Sequence, residues 1–266
     1  MKRNSFWAWL WVFLGALYFL LPLYGTLDFS LRQTRDVLSL SAYESAFRDP
    51  QFVETFTFSI EMAVATIIVS LVLVVPTAYW VHLRAREWRP VVEFITLLPF
   101  VVPAIVLVFG LIKIYSSPFL LMPSLTDTTL GTNVLLVAGY VVLSLPYIYR
   151  AVDNGLRSMD VRTLTEAAQS LGANWPTILW SIIFPNLRTA LLSGALLTFA
   201  IVVGELTIAT FLGRPAFGPY LWLIGQHKAY EPAALTIVSF ALTWAAMGLI
   251  GLLTRGREQG SVAGAH

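Results

Sequence analysis

Residues 166–185 read EAAQSLGANWPTILWSIIFP, a polar and small-residue island between two long apolar runs. The local signals are those of helix, turn and helix. Thr163 followed three residues later by Glu166 has the spacing of a capping box, and Asp160 offers an alternative cap about a turn earlier, so a short helix is expected to start near Leu164. Ala167, Ala168, Gln169 and Leu171 are good helix formers, and Gly172 supplies the left-handed conformation on which a helix ends without steric cost. Asn174 is placed to cap a second helix, with Pro176 tolerated in its first turn.

The flanks of this island decide its surroundings. The 266 residues are 57% hydrophobic and 12% charged, with a mean hydropathy of +0.74; a soluble domain carries roughly 25% charged residues. The excess apolar surface calls for lipid as its solvent. Cysteine is absent, which excludes disulfides, thiolate metal sites and cysteine nucleophiles. The net charge of +2 and the lack of a basic run speak against nucleic acid as a partner.

Six apolar runs follow in order, at about 6–27, 55–81, 91–115, 132–149, 189–212 and 233–254. The first is too long for a signal peptide and lacks a small-residue cleavage site, so it is expected to be a retained span. Pro99 and Pro103 fall inside the third run and predict a kink, tolerated where neighbouring groups take up the freed carbonyls. The fold class is therefore all-α, a single polytopic domain of six transmembrane helices. Lys2, Arg3, Arg84, Arg86, Arg89, Arg150, Arg157, Arg162, Arg188, Arg255 and Arg257, eleven of the 17 basic residues, fall on the side that holds both termini and the 150–188 loop. That side is expected to be cytoplasmic.

Glu166-Ala167-Ala168, then Gly172, Ile182 and Pro185 at fixed distances, resembles the EAA loop of ABC importer permeases, with Phe184 where that family usually has leucine. Six spans with this loop between the fourth and fifth resemble the MetI-like permease core over nearly the whole chain. LLPFVVPAIVLVFGL (97–111) and GELTIATFLGRPAFGPY (204–220) resemble the spermidine/putrescine branch, which also serves ferric iron, thiamine and phosphonate importers. The resemblance implies a bacterial inner-membrane permease, with polyamine as the expected cargo. It implies as partners a cytoplasmic ATPase dimer, a second permease subunit, identical or homologous, and an extracytoplasmic substrate-binding protein. No GxxxxGK[ST] occurs, so no catalytic residue is expected here. ATP and Mg belong to the partner ATPase, and this chain is expected to bind no cofactor. Glu166, Ala167, Ala168, Gly172, Ile182 and Pro185 would form the coupling element. Ala167 and Ala168 would allow close approach, and Glu166 would cap the coupling helix or pair with a basic residue of the ATPase.

Other residues are weighed singly. Glu205 lies deep in the fifth run, where an ionisable group costs a few kcal/mol unless it faces a partner or a wet cavity. It is expected either on the translocation path or in a helix-to-helix hydrogen bond. Glu61 and Glu93 both fall near the positive end of a helix dipole; that account is preferred for Glu93, and Glu61 stays open as a path residue. Tyr140, Tyr147 and Trp244 are placed to face an interior, and Tyr140 and Tyr147 are expected with Glu205 and Glu61 on the translocation path, while most other aromatics sit near span ends. His82 and His227 fall in loops without a second ligand at metal spacing, so no metal site is expected. The 28–54 and 213–232 loops, with Asp36, Glu44 and Asp49, would meet the binding protein. Two other classes compete. An intramembrane enzyme needs a nucleophile and base at membrane depth, and no histidine lies there; an ion channel needs no EAA loop.

Overall fold

A computed structural model describes residues 5–34, 37–117 and 124–262. Lys2, Arg3, Asp36 and His266 lie outside them, as do the side chains of Arg255 and Arg257. The described elements are helical. They are α1 (Ser5–Ser30), α2 (Ser41–Phe47), α3 (Pro50–Leu83), α4 (Arg89–Val101), α5 (Ala104–Tyr115), α6 (Thr129–Arg157), α7 (Val161–Ser170), α8 (Trp175–Ile178), α9 (Phe184–Asn186), α10 (Arg188–Val203), α11 (Thr207–Phe211), α12 (Phe217–His227) and α13 (Tyr230–Val262).

Three helices, over Trp7–Ser30, Pro50–Leu83 and Thr129–Arg157, are long and apolar enough to cross a bilayer, and two bent pairs bring the number to as many as five. The expected sixth run falls within α13. The third run is broken rather than kinked: residues 86–101 and 104–115 meet at 103°. Val102 is extended ahead of Pro103, as the steric demand of a proline on its predecessor requires. Two stretches read as loops contain helix, α2 in the first and α12 in the second. His82 and His227 end helices rather than sitting in loops.

The chain divides into two compact units. One comprises residues 1–54 and 220–245. Its helix α1 presents Trp7, Trp9, Trp11, Tyr18 and Tyr24 outward. Leu20, Leu23, Tyr24 and Leu27 of α1 line an apolar cleft of about 340 Å³ with Ile237, Phe240, Ala241 and Trp244 of α13. Trp244, expected to face an interior, is 59% exposed at the rim of that cleft. Polar contacts join the rest of the unit: Tyr220 donates to Asp49 Oδ2 at 3.0 Å, Ser45 donates to Glu231 at 3.3 Å, and Phe29 stacks on Tyr230. Burial, followed by that hydrogen bond to Asp49, pushes the Tyr220 phenol above its ordinary range.

The other unit comprises residues 55–219 with 246–266. In it α6 packs against α10 and α4. Its core joins Val75, Ala78 and Tyr79 of α3, Ile148, Val152 and Leu156 of α6, Leu187 just before α10 and Leu191 within it to Val161, Ala168, Ile178 and Ile183. The last four and Leu187 belong to the 160–187 segment, so that hairpin is packed into the bundle.

Candidate functional site

The hairpin is built from its caps. Helix α7 starts at Val161, three residues before the expected Leu164, because Asp160 takes the cap: its Oδ1 accepts from the Thr163 amide at 3.1 Å and its Oδ2 from the Thr163 hydroxyl at 2.7 Å. These Thr163 bonds, the hydroxyl's foremost, hold the Asp160 carboxyl below the ordinary aspartate range. Glu166 does not close a capping box. It accepts from Arg162 Nε at 2.7 Å, one turn back on the exposed side of α7, and that bond raises the Arg162 guanidinium further. The helix ends on Gly172 at φ +80°, a conformation with a steric penalty for any residue bearing a Cβ. Asn174 then caps α8, accepting from the Thr177 amide at 3.0 Å, with Pro176 in the first turn.

The two alanines of the motif do different things. Ala168 is buried with Val161 and Thr165, on the face of α7 that enters the core. Ala167 is exposed, beside Gly172 and a Leu171 that is 89% exposed. An apolar tip of this kind has no partner among the described residues. The inner face is pinned as well by a buried hydrogen bond: Thr165 donates to the Val161 carbonyl, so the Tyr79 hydroxyl donates to Thr165 Oγ1 at 2.9 Å.

Beyond α8 the helix widens into a π turn over Leu179–Ile183 before α9. Pro185 lacks the amide that would close a regular turn, and a π turn absorbs the mismatch. Ile182 packs against the core, while Pro185 is exposed. The segment 175–186 then meets 188–203 at 77°.

Just above the hairpin lies a cluster absent from the sequence reading. Asp153 of α6 is 2% exposed and accepts from Arg89 Nη2 at 3.0 and 3.1 Å and from Arg157 Nε at 2.8 Å. Glu93 accepts from Arg89 Nε at 3.0 Å and Arg157 Nη2 at 3.4 Å. His82 Nδ1 is 3.8 Å from Asp153. Glu93 is thus held by two guanidiniums, beyond any dipole effect. The i,i+4 spacings of Asp153 with Arg157 and of Arg89 with Glu93 were the available signals; the pairing of Arg89 with Asp153, 64 residues away, gave none.

The fifth run does not continue as one helix. Helix α10 stops at Val203, and α11 starts at Thr207. Glu205, 9% exposed, fills the gap: its oxygens accept from the amides of Thr207 at 2.7 Å, Ile208 at 2.9 and 3.0 Å, and Ala209 at 3.2 Å. The carboxylate thus caps a helix start inside an apolar stretch. Gly218 seals it, since a Cβ there would stand 2.2 Å from the Glu205 carbonyl oxygen. Tyr140 is buried against this break, within electrostatic reach of Glu205, its hydroxyl without a well-formed hydrogen bond. Tyr147 is part-buried, edge-on to Phe100 at 5.5 Å. Glu61 stands exposed on the apolar α3, with no ion pair among the described residues.

Residues 75–258 match the family described as binding-protein-dependent transport system inner membrane component. The chain belongs to that family. It is 26% identical over 215 residues to the spermidine/putrescine transport system permease PotB of Escherichia coli (strain K12), covering 78% of this chain and 77% of that one. It is 32% identical over 118 residues to the methionine import system permease MetP of Bacillus subtilis (strain 168), covering 44% and 52%. Among solved structures it resembles, at 14% identity and a TM-score of 0.69, a bacterial alginate ABC transporter in complex with an alginate pentasaccharide-bound periplasmic protein, covering 96% of this chain and 95% of that one. The chain is a membrane-embedded permease of the ABC importer kind, with a MetI-like helical fold.

Proposed function

We propose that this permease forms half of the translocation pathway of an importer for polyamines of the spermidine/putrescine type, driven by a cytoplasmic ATPase dimer that docks on the 160–187 hairpin. The observation that carries the cargo is the similarity to spermidine/putrescine permeases across 78% of the chain. The unpaired Glu61 carboxylate supports a cationic cargo, because a charge on an apolar helix face is costly unless a wet path or a partner meets it. The exposed Ala167, Leu171 and Gly172 tip supports the docking, since its inner side is already anchored by Ala168 and Thr165. A second permease completes the pathway, and a binding protein delivers the cargo from outside, both termini being cytoplasmic.

The test is ATP hydrolysis and uptake in proteoliposomes holding the chain with its co-purified ATPase, second permease and binding protein. Spermidine or putrescine should stimulate both activities, and thiamine, ferric iron and phosphonates should not. Stimulation by one of the latter alone would reassign the cargo. Ala167→Trp should abolish recovery of the ATPase with the permease at an unchanged unfolding midpoint; retained recovery would remove the docking assignment.

A further inference from the structure

Beside the coupling hairpin, on the flank of α7 away from its apolar tip, lies a groove of about 630 Å³. One wall is the end of α3, with Tyr79 and Trp80, and Arg84 just beyond it; the other is α7, with Arg162 and Glu166, and Trp175 also lines it. The apolar run of α3 ends at Val81 and Arg84, Arg86 and Arg89 follow it, which puts Trp80 and Arg84 at the edge of the apolar stretch. Trp80 and Trp175 are about half exposed there, at 51% and 49%, where interfacial tryptophans are favoured.

The charges in the groove are incompletely used. Arg84 is exposed and has no carboxylate partner among the described residues, in contrast to Arg89, Arg157 and Arg162. Arg162 engages Glu166 through Nε, which leaves its Nη groups open. Two guanidiniums and one carboxylate leave the groove net positive. A planar guanidinium fork fits a phosphate oxygen pair, and phosphates at this depth are those of lipid headgroups.

The ATPase is the less favoured occupant. The groove takes α7 positions 162, 165, 166 and 169, whereas Ala167 and Leu171 point from the far side of the same helix. From this geometry we infer that the groove binds the phosphate headgroup of an anionic phospholipid, between Arg84 and Arg162 and against the two tryptophans, so that lipid braces the coupling hairpin against α3.

Native mass spectrometry of the purified assembly, delipidated and then given dioleoyl phosphatidylglycerol or dioleoyl phosphatidylethanolamine, tests this. The anionic lipid should be retained in preference. Arg84→Gln should weaken its retention about fivefold, with no change for the zwitterionic lipid. Arg86→Gln, outside the groove, should change neither. Equal retention of phosphatidylglycerol by the Arg84→Gln form would overturn the site. Displacement of the lipid by inorganic phosphate alone would mean a free-anion site and overturn the headgroup assignment. If Arg84→Gln instead lowered ATPase recovery equally in nanodiscs of either lipid, the groove would belong to the protein partner. None of these outcomes bears on the cargo.

Discussion

Two links in this chain join one helix to the next across a few residues, and they are built in opposite ways. The link between α7 and α8 lies in the exposed hairpin. It uses a neutral side chain, Asn174, to cap its second helix, and a glycine at φ +80° to turn. The link between α10 and α11 lies within an apolar run. It uses a full carboxylate, Glu205, whose oxygens reach three successive amides. Where water can satisfy a stray amide, a weak cap suffices; where it cannot, each unmet amide costs its whole desolvation.

The comparison breaks if the two caps respond alike. Glu205→Ala should orphan three amides at roughly 1–3 kcal/mol each and yield little folded protein in detergent. Asn174→Ala should lower stability by about 1 kcal/mol. Glu205→Gln, which keeps one acceptor oxygen, should fall between, read from chemical unfolding midpoints. If Glu205→Ala unfolded no more easily than Asn174→Ala, the break would be wet and Glu205 free to meet cargo.

Charge inside the structure sharpens the same contrast at the base of α6. Removing Asp153 leaves Arg89 and Arg157 sharing Glu93 as their one remaining carboxylate among the described residues. Asp153→Ala should cost about 3–5 kcal/mol by the same measurement. The exposed Arg162–Glu166 pair should contribute at most about 1 kcal/mol, and Glu166→Gln should leave the unfolding midpoint nearly unmoved.

The glycines come next. Gly218→Ala drives a Cβ to 2.2 Å from a backbone oxygen and should cost about 1–3 kcal/mol or more. Gly172→Ala meets nothing within 4 Å and should cost only the left-handed backbone, about 1–2 kcal/mol. Equal losses would mean that the Gly218 contact relaxes.

The smallest effect concerns acid. The folded-state carboxyl of Asp160 lies below its ordinary range, so its cap is fully present above the unfolded value and is lost as pH falls through the lowered one. The protection factor of the Thr163 amide should drop over that window while that of the Ile208 amide, deep in the other link, holds.

The same contrast explains what the sequence disclosed. The hairpin's caps and turn were legible because its capping residues, glycine and prolines act within four residues of where they stand, apart from the choice between two nearby caps, Thr163 and Asp160; the π turn over Leu179–Ile183 and the 77° elbow after it were not. The break at Pro103 was legible for the same reason, though not its extent. The break at Glu205 was hidden: glutamate is not a preferred cap, and Leu206 to Leu212 carry the apolar run straight on. The Asp153 cluster was hidden because Arg89 and His82 reach it from other helices; only its pair with Arg157 lies one turn along α6. The inward turn of Ala168 and the outward one of Ala167 follow from the packing of Val161 and Thr165, which spacing alone did not orient.

The 77° elbow after α9 has a mechanical consequence. A thrust delivered along the short arm 175–186 would meet α10 nearly side-on. Little of it would travel down the axis of α10; most would act as torque about the end packed at Leu187 and Leu191. A small displacement of the hairpin would then be magnified at the far end, where Glu205 caps the next helix.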